Sequence, residues 1–487
     1  MADVMEIFES LGMTPPEGAM SVRSPRDGGI IASLMADTPK TLEEKIACAR
    51  VAQLQWQTKN RNERAWLLET LAAAIKRHRE PLATLMTMDS GKTMRESLSE
   101  VDGAEAVLLK TIRDAALPEF NGMLRCKERQ PAGVVGLITS FNFPCAVAHW
   151  SIAPALLAGN AVLWKPSEKA PLVAQACKMI FDKAGQGDLL QMILGGRDIG
   201  AALVAHEGVD MVSATGSAGM GKAIRAALAA KKNNAVKPIL ELGGNNGVIL
   251  SEKMSEAHLD WSLAALLASF LGTAGQRCTN TRRLFVQKKI HGRAVRLLER
   301  KIADFLVAGP GKWEEYGYGP LIDAAAFARF EQAKKRVAAD GGEILFGNRL
   351  LQKEYPDAYY AEPALALLSR QTPIMHEETF APLLFIVPYH DLEEAIAMAN
   401  APSNAGLVAG IYTKNQAEAD MFAARCEAGH CVINSPKGTG TPAFGMGFGG
   451  NKDSGEGEIL NAADPLAPFT RPVSRRIAQD KDVAMDA

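Results

Sequence analysis

Apolar residues in the N-terminal third of the chain recur every three to four positions. The stretch NERAWLLETLAAAIKRHRE, residues 62–80, shows this spacing. Before it, TLEEKIACARVAQLQWQ, residues 41–57, begins with Thr41 and Glu44, which have the spacing of a helix capping box. Helical spacing continues to residue 115, so we expect this part of the chain to be largely helical.

The pattern changes at GVVGLITSFNFP, residues 133–144, where a β-rich apolar run ends in polar side chains and a proline. Another apolar run follows at residues 161–164, and further runs alternate with stretches of helical spacing. Strands that alternate with helices indicate a parallel sheet, whose ligands bind at the carboxyl ends of the strands. Asn142, Lys165 and Gly216 are expected at such ends.

The composition describes a large and nearly neutral protein. The chain has 487 residues, of which 47% are hydrophobic, which is enough for two or three domains. Its 54 basic and 55 acidic residues create no field that favours nucleic acid or a membrane surface. The first residues are acidic and no apolar stretch reaches membrane-spanning length, so we expect a cytoplasmic protein that acts on a small molecule.

The cysteines and histidines argue against disulfides and against a bound metal. The seven cysteines are scattered without a CxxC pair, and the eight histidines show no HExxH spacing. One thiol, Cys278, lies in the polar turn FLGTAGQRCTN, where it could either pack or react. Cys48, Cys126, Cys177, Cys426 and Cys431 lie in helical or strand patterns and Cys145 follows a proline, and we expect these six to pack as small hydrophobic residues.

Three further motifs each allow a functional and a structural interpretation. The turn TGSAGMG, residues 215–221, could bind a pyrophosphate at a helix N-terminus or simply join a strand to a helix. Lys165 and Glu168 could hold a ribose through its hydroxyls, or lie at a solvated strand end. Glu241 stands in the apolar run PILELGGNNGVIL, where a raised pKa would make it a general base; the alternative is a surface carboxylate.

Taken in order, these motifs resemble the aldehyde dehydrogenase superfamily, from about residue 20 to about residue 480. The stretches that carry the resemblance are FNFPCAVAHWSIAPALLAGNAVLWKPSE, ATGSAGMGKAI, LELGGNN, GQRCTNTRRLFV, EETFAPLL and FGMGFGGNKDSG. The resemblance implies an α/β fold with a Rossmann-like NAD-binding domain, an α/β catalytic domain and a small β oligomerisation arm. It also implies a homodimer or homotetramer.

The same resemblance divides the chain into parts. The NAD-binding domain would comprise residues 1–115 and 132–242, and the catalytic domain would comprise residues 243–445. Residues 116–131 and 446–487 would form the oligomerisation arm and the C-terminal tail.

The resemblance also implies a role for each motif residue. Cys278 would attack the aldehyde as the nucleophile, and the Asn142 side chain and the Cys278 backbone N–H would hold the oxyanion. Hydride transfer to the nicotinamide would leave a thioester, which water activated by Glu241 would hydrolyse to a carboxylic acid. We expect NAD as the cofactor, with NADP as the alternative. The expected cofactor contacts are Thr139, Ser140, Lys165, Pro166, Ser167, Glu168, Gly216, Ser217, Leu242, Gly243, Glu378 and Phe380.

Within the superfamily, ELGGNN, GTAGQRCTNTRRLF and EETFAP look most like the antiquitin branch, the α-aminoadipate semialdehyde dehydrogenases. That branch directs the arginine before the nucleophile, here Arg277, towards the substrate carboxylate; Phe143 and Thr279 are further expected substrate contacts. The loop KGTGTPAFGMGFGG departs from the branch, and Ser99 aligns with its acidic residue for the substrate amino group. A carboxylate-bearing semialdehyde is therefore one expected substrate, and an aromatic aldehyde is the alternative.

Three other functions fit parts of the pattern. A plain cysteine hydrolase would have no use for the Lys165/Glu168 and Glu378/Phe380 positions. A CoA-acylating aldehyde dehydrogenase would release the thioester to CoA, but acylating members typically lack the base that Glu241 provides. A non-catalytic protein with the same fold would have no need of Cys278, Asn142 and Glu241 together. The pattern therefore favours hydrolysis of the thioester.

Overall fold

The computed structural model describes most of the chain. The described residues are 4–12, 17–115, 128–232, 238–304, 319–401, 405–440, 447–457, 460 and 464–473.

Helices make up most of the N-terminal part and recur between the later strands. Their bounds are α1 (Val4–Ser10), α2 (Pro39–Trp56), α3 (Arg61–Arg77), α4 (Arg79–Ser90), α5 (Met94–Ala115), α6 (Ala146–Leu157), α7 (Leu172–Lys183), α8 (Arg197–Ala205), α9 (Ala218–Ala229), α10 (Glu256–Leu271), α11 (His291–Ala303), α12 (Ala324–Ala339), α13 (Leu392–Asn400) and α14 (Gln416–Arg425).

The strands form two large sheets and several small pairs. Their bounds are β1 (Met20–Arg23), β2 (Ile30–Leu34), β3 (Glu128–Pro131), β4 (Val134–Ile138), β5 (Ala161–Lys165), β6 (Leu190–Met192), β7 (Met211–Thr215), β8 (Pro238–Glu241), β9 (Asn246–Leu250), β10 (Thr281–Gln287), β11 (Glu343–Phe346), β12 (Arg349–Leu350), β13 (Tyr360–Ala361), β14 (Ala364–Leu367), β15 (Leu383–Tyr389), β16 (Ala405–Gly406), β17 (Val408–Tyr412), β18 (His430–Ile433), β19 (Asn451–Lys452), β20 (Gly455–Glu456) and β21 (Thr470–Val473).

The first large sheet has six strands in the order β20-β8-β7-β4-β5-β6. All neighbours are parallel except β20, which pairs antiparallel with β8. Strand β5 is buried along its whole length, because helices cover both faces of a parallel sheet. The carboxyl ends of β4, β5, β7 and β8 therefore meet at one edge, as the sequence predicted.

The second large sheet has seven strands in the order β11-β14-β15-β10-β9-β17-β18. It is parallel apart from β11, which pairs antiparallel with β14. Each sheet has its own hydrophobic core. The core of the first sheet is built from residues between Val4 and Leu242, together with Leu460 and Phe469. The core of the second sheet is built from residues between Val248 and Phe422. The catalytic turn described below joins α10 to β10 of the second sheet.

Three local expectations from the sequence need correction. Helix α2 begins earlier than predicted: its N-cap is Thr38, and the capping box is closed by Thr41 rather than by Glu44. Strands β1 and β2 form an antiparallel hairpin within the part of the chain that was expected to be largely helical. The sequence pattern predicts a loop in RLLQKEYPDAYYAEP, residues 349–363, but this stretch contains the short antiparallel pair β12–β13.

A two-stranded ribbon joins distant parts of the chain. Strand β21 pairs antiparallel with β3, in the register Thr470 to Pro131. This agrees with the sequence pattern of FTRPVSRRIA, residues 469–478, which predicts a short arm or edge strand; residues 474–478 lie outside the described part. None of the described helices is long and apolar enough to cross a membrane.

Candidate active site

The turn that carries Cys278 is built from strained backbone. Helix α10 ends at Leu271, and a short 3-10 segment, Gly272–Gly275, follows. Within it Thr273 and Ala274 have φ values of 52° and 54°, a left-handed conformation that costs about 1–2 kcal/mol per non-glycine residue. Surrounding contacts must therefore hold this turn in place.

Side chains on two sides fix the position of the thiol. Asn246 donates from Nδ2 to the carbonyl oxygens of Cys278 and Asn280, at 2.8 Å each. Asn280 in turn accepts a hydrogen bond of 2.5 Å from the backbone N–H of Arg277. The backbone N–H of Cys278 interacts with its own sulfur and lowers the pKa of the thiol, against the larger effect of burial.

Asn142 lies beside this turn although 136 positions of sequence separate it from Cys278. Its Oδ1 accepts from the Ser140 hydroxyl at 2.6 Å, and its Nδ2 donates to the Gln276 carbonyl at 2.8 Å. The side chain is buried. The structure thus brings together the Asn142 amide and the Cys278 N–H, the two donors expected to form an oxyanion site.

Glu241 ends strand β8 and is also buried. Among the described residues its Oε2 has no hydrogen-bond partner. Burial raises the pKa of this carboxyl well above its ordinary value, because the charged form loses hydration. A carboxyl of this kind suits a general base near neutral pH.

Burial also raises the pKa of the Cys278 thiol, to about 12, with the carboxylates of Glu378 and Glu241 adding to the effect and Arg282 opposing it. Cys278 therefore lies within electrostatic reach of both acidic residues. In this state the sulfur is a neutral thiol, and a nearby cation or base is required to form the thiolate.

The carboxyl end of β5 presents Lys165 and Glu168, whose Nζ and Oε2 atoms lie 3.4 Å apart. Lys165 is buried and its pKa is lowered by burial, while Glu168 is largely exposed. The Lys165 side chain lies over Gly200, where an added Cβ would come within 3.2 Å of it. This arrangement of cation and carboxylate fits the hydroxyl groups of a ribose.

The glycine turn after β7 leads into α9, whose N-cap Ser217 accepts from the Met220 N–H. Gly216 donates to the Glu241 carbonyl at 3.0 Å, which ties this turn to the strand that carries the base. The N-terminus of α9 is thereby turned towards the same edge of the sheet, where backbone N–H groups can receive a pyrophosphate.

Close packing at Gly243 leaves no room for a residue larger than glycine. A Cβ there would collide with the Glu378 carboxylate, which also accepts from the Gly244 N–H at 3.2 Å. Arg282 lies 3.6 Å from Glu378 and stacks at 5.3 Å over the Phe380 ring. Glu378 and Phe380, the residues expected to contact the nicotinamide ribose, thus lie next to the thiol turn. Both contact the guanidinium of Arg282.

The remaining expected cofactor contacts lie on the same loops and have protein partners of their own. Thr139 accepts from Trp164 Nε1 at 2.9 Å, and Pro166 accepts from Lys165. Ser167 Oγ accepts from the Lys169 N–H, and the Leu242 N–H donates to Ser454. These contacts shape the loops.

On the substrate side, Arg277 donates from Nε to Thr273 Oγ1 at 2.9 Å and from Nη2 to Glu96 at 2.8 Å. A substrate carboxylate would have to compete with Glu96 for this guanidinium. Phe143 lies under Arg277, and Thr279 is buried directly after the thiol.

Sequence reasoning missed several residues of the site. Glu96, Asn246 and Arg282 were not identified as site residues. Asn246 and Arg282 lie within the quoted motifs LELGGNN and GQRCTNTRRLFV, whereas no quoted motif contains Glu96. Trp150 and Phe448, whose rings lie 5.0 Å apart, pack in one cluster with Cys278. Trp150 lies in the quoted stretch FNFPCAVAHWSIAPALLAGNAVLWKPSE, which was the available signal for it.

The other thiols follow the prediction in part. Cys145 and Cys177 are buried, with sulfurs 3.8 Å apart, which confirms that they pack. The prediction is wrong for Cys48, which is exposed because it lies on the outer face of α2, and for Cys431, which is also exposed. Cys426 is half-buried, and Cys126 lies outside the described residues. Among the described residues no group of His, Cys, Asp and Glu is arranged to hold a metal ion.

Known proteins with similar sequences share one family. The model of the aldehyde dehydrogenase family matches residues 13–472. The α-aminoadipic semialdehyde dehydrogenase of Rattus norvegicus is 32% identical over 446 residues, 89% of this chain and 81% of that protein. The N-succinylglutamate 5-semialdehyde dehydrogenase 1 of Caulobacter vibrioides is 34% identical over 441 residues, 88% of this chain and 91% of that protein.

Solved structures agree. Betaine aldehyde dehydrogenase of Staphylococcus aureus in complex with NAD⁺ superposes with a TM-score of 0.87 at 26% identity, covering 96% of both chains. A 3,6-anhydro-L-galactose dehydrogenase solved with a bound cofactor gives a TM-score of 0.87 at 27% identity, covering 95% of this chain and 97% of that one. The chain therefore belongs to the aldehyde dehydrogenase family and is an NAD(P)-dependent enzyme that oxidises aldehydes.

Proposed function

We propose that Cys278, Asn142 and Glu241 carry out this oxidation and that water releases the product as a carboxylic acid. The Cys278 thiol gives its proton to water and its sulfur bonds to the aldehyde carbon, while the C=O π electrons move to the oxygen. The Asn142 amide and the Cys278 N–H hold the resulting oxyanion of the thiohemiacetal. The observation that supports this most strongly is the 2.8 Å hydrogen bond from Asn142 to the Gln276 carbonyl, on the turn that presents the thiol.

A nicotinamide cofactor, when bound, would supply the hydride acceptor; loss of hydride from the thiohemiacetal carbon would leave a thioester on Cys278. Glu241 then takes a proton from a water molecule, whose oxygen attacks the thioester carbon; the carbon–sulfur bond breaks and the acid leaves. The buried carboxyl suits this step because its raised pKa makes it a stronger base than an exposed glutamate.

The test is NADH formation with an aldehyde in the absence of CoA. We expect turnover with water alone, because Glu241 supplies the base for hydrolysis. A strict requirement for CoA would favour the acylating alternative. Cys278→Ala should abolish dehydrogenation while NAD binding is retained, because the thiol forms the covalent bond and takes no part in holding the cofactor.

For the cofactor, we propose that Lys165 and Glu168 bind the adenosine ribose and that Gly216 and Ser217 lie at the pyrophosphate. The support is the buried Lys165 beside an exposed carboxylate, together with the N-terminus of α9 at the same sheet edge. Glu168 would repel a 2′-phosphate, so we propose NAD over NADP.

For the substrate, we propose an aldehyde that also carries a carboxylate. Two relatives bear the names of such semialdehydes. Another relative, from Agrobacterium fabrum, is named for betaine aldehyde and is 31% identical over 90% of this chain and 89% of its own. Comparison of kcat/KM for a semialdehyde, an aromatic aldehyde and betaine aldehyde distinguishes these classes; a preference for either of the last two would contradict the proposal.

For the assembly, we propose that the β3–β21 ribbon belongs to an arm that joins two or four copies of the chain. We also propose the division into NAD-binding, catalytic and arm segments that the sequence predicts. A cytoplasmic location fits the described cysteines, all of which are free thiols. Light scattering tests the assembly, and a monomer in dilute solution would contradict it.

A further inference from the structure

One face of helix α5 contacts both loops that carry the oxyanion donors. Glu96 and Glu100 lie one helical turn apart on this face, and both side chains are buried, with 13% and 1% of their surface exposed. Each carboxylate binds a different loop. Glu96 binds the turn before Cys278, and Glu100 binds the start of α6, just after Asn142.

Glu96 holds the strained turn directly. Its Oε1 accepts from the Thr273 N–H at 2.8 Å, from the Thr273 hydroxyl at 3.2 Å and from Arg277 at 2.8 Å. Its Oε2 accepts from the Thr93 N–H and hydroxyl at 3.2 and 3.1 Å, which anchors the carboxylate to the start of α5. Burial alone would raise the pKa of Glu96, but Arg277 and Lys92 outweigh burial and lower it, so the side chain is charged.

Glu100 makes the matching contacts on the other loop. Its Oε1 accepts from the backbone N–H groups of Cys145 and Ala146, at 2.8 and 3.0 Å. These are the free donors at the N-terminus of α6, which a carboxylate satisfies well. Its other oxygen pairs with the buried Lys92. The segment from Asn142 to Cys145 is thereby tied to α5.

Phe143 connects the two ion pairs. The Lys92 Nζ lies 4.0 Å from the centroid of its ring, and the Arg277 guanidinium carbon lies 5.5 Å from the same centroid. Both distances are within the range of a cation–π contact. The cation partner of each carboxylate therefore contacts the residue next to Asn142, so that the two loops and α5 form one connected network.

We propose that Glu96 and Glu100 are positioning residues that set the distance between the Asn142 amide and the Cys278 N–H. Neither touches the substrate or the cofactor; they act through the two loops. Hydrogen-bond donors stabilise an oxyanion only when they lie within a few tenths of an ångström of the required position, and a shift of about 1 Å can cost about a hundredfold in rate. This inference rests on the proposed chemistry at Cys278.

The first test is Glu96→Gln, which keeps the size of the side chain but removes the charge that holds Arg277. The pre-steady-state rate of NADH formation should fall about tenfold to a hundredfold. The melting temperature, the Kd for NAD and the rate of Cys278 alkylation by iodoacetamide should not change, since these do not depend on the oxyanion site. The matched control is Asp102→Asn on the same helix, whose carboxylate pairs with Arg79 at the surface; it should behave as wild type.

The second test addresses Glu100. Glu100→Gln alone would leave Lys92 buried without its counter-ion, so the double variant Lys92→Met/Glu100→Gln is used instead. It removes both charges and keeps an oxygen for the Cys145 and Ala146 N–H groups. We expect it to fold and to lose hydride-transfer rate through loss of the contact with Phe143.

The outcomes separate this inference from the proposed function. Absence of NADH formation by the wild-type enzyme with any aldehyde, or full activity of Cys278→Ala, would remove the chemistry itself. An active wild type with an unchanged burst rate in Glu96→Gln would overturn the positioning role. So would parallel losses of melting temperature, NAD affinity and burst rate, because these would show a purely structural residue.

Discussion

The side-chain Nδ2 of Asn142 donates a 2.8 Å hydrogen bond to the carbonyl of Gln276, two residues before the thiol. This contact places the amide at the nucleophile although the two loops belong to different sheets. Asn142→Ala should lower kcat by about a hundredfold to a thousandfold, because an oxyanion loses one donor. Asn142→Asp, of equal size, should be at least as damaging. A raised KM with an unchanged kcat would show instead that Asn142 contributes to substrate binding.

Glu241 should make the native state less stable in alkaline solution. The pKa of this carboxyl is raised in the folded protein. The contribution of the neutral carboxyl to the stability of the fold is therefore fully present below the ordinary pKa of 4.5 and is lost as the pH rises through the folded pKa. Glu241→Gln, which stays neutral, should stabilise the protein above that pKa by about 1–3 kcal/mol. Melting curves against pH check this: a difference in melting temperature between variant and wild type that does not change as the pH rises would contradict it.

We expect Arg277 to hold the turn that carries Cys278 rather than to bind a charged group of the substrate. Because its guanidinium already pairs with Glu96 and Thr273, Arg277→Gln should lower kcat about tenfold for charged and uncharged aldehydes alike. Arg113→Gln, which removes a surface guanidinium on α5, serves as the control. A rise in KM confined to carboxylate-bearing aldehydes would identify Arg277 as a substrate anchor.

Lys165 and Glu168 should affect the cofactor and leave the chemistry intact. Lys165→Met should raise the Kd for NAD about tenfold or more, as expected when a hydrogen bond to a charged group is lost. Glu168→Gln should narrow the preference for NAD over NADP, because the repulsion of a 2′-phosphate disappears. Fluorescence titration with both cofactors measures the two effects, with the exposed Lys40→Gln as control. Unchanged cofactor affinity in Lys165→Met would refute its placement.

Much of the architecture was predictable because it follows from periodicity. The alternation of helices with apolar strands predicted the parallel sheet, and the polar residues after β4 and β5 predicted which edge binds ligands. Glu241 was identified because a carboxyl in an apolar run is unusual, and the structure shows it buried. The short pairs β1–β2 and β12–β13 were missed, because two to five residues are too few for a period to stand out.

The contacts around Cys278 could not be read from the sequence in the same way. Glu96 lies 181 positions from its partner Arg277, and only the packing of α5 against the turn reveals the pair. The left-handed conformations of Thr273 and Ala274 were equally hidden, since neither residue type favours them. Motifs therefore marked the groups proposed to react, whereas the groups that hold them required the fold.

Trapping of the thioester tests the central claim most directly. In Glu241→Gln, mixing with NAD and an aldehyde should give a burst of NADH of about one equivalent per thiol, followed by a stall. Mass spectrometry of the quenched protein should find the acyl group on the peptide that contains Cys278. Sustained turnover by this variant, or a burst without acylated Cys278, would contradict the account.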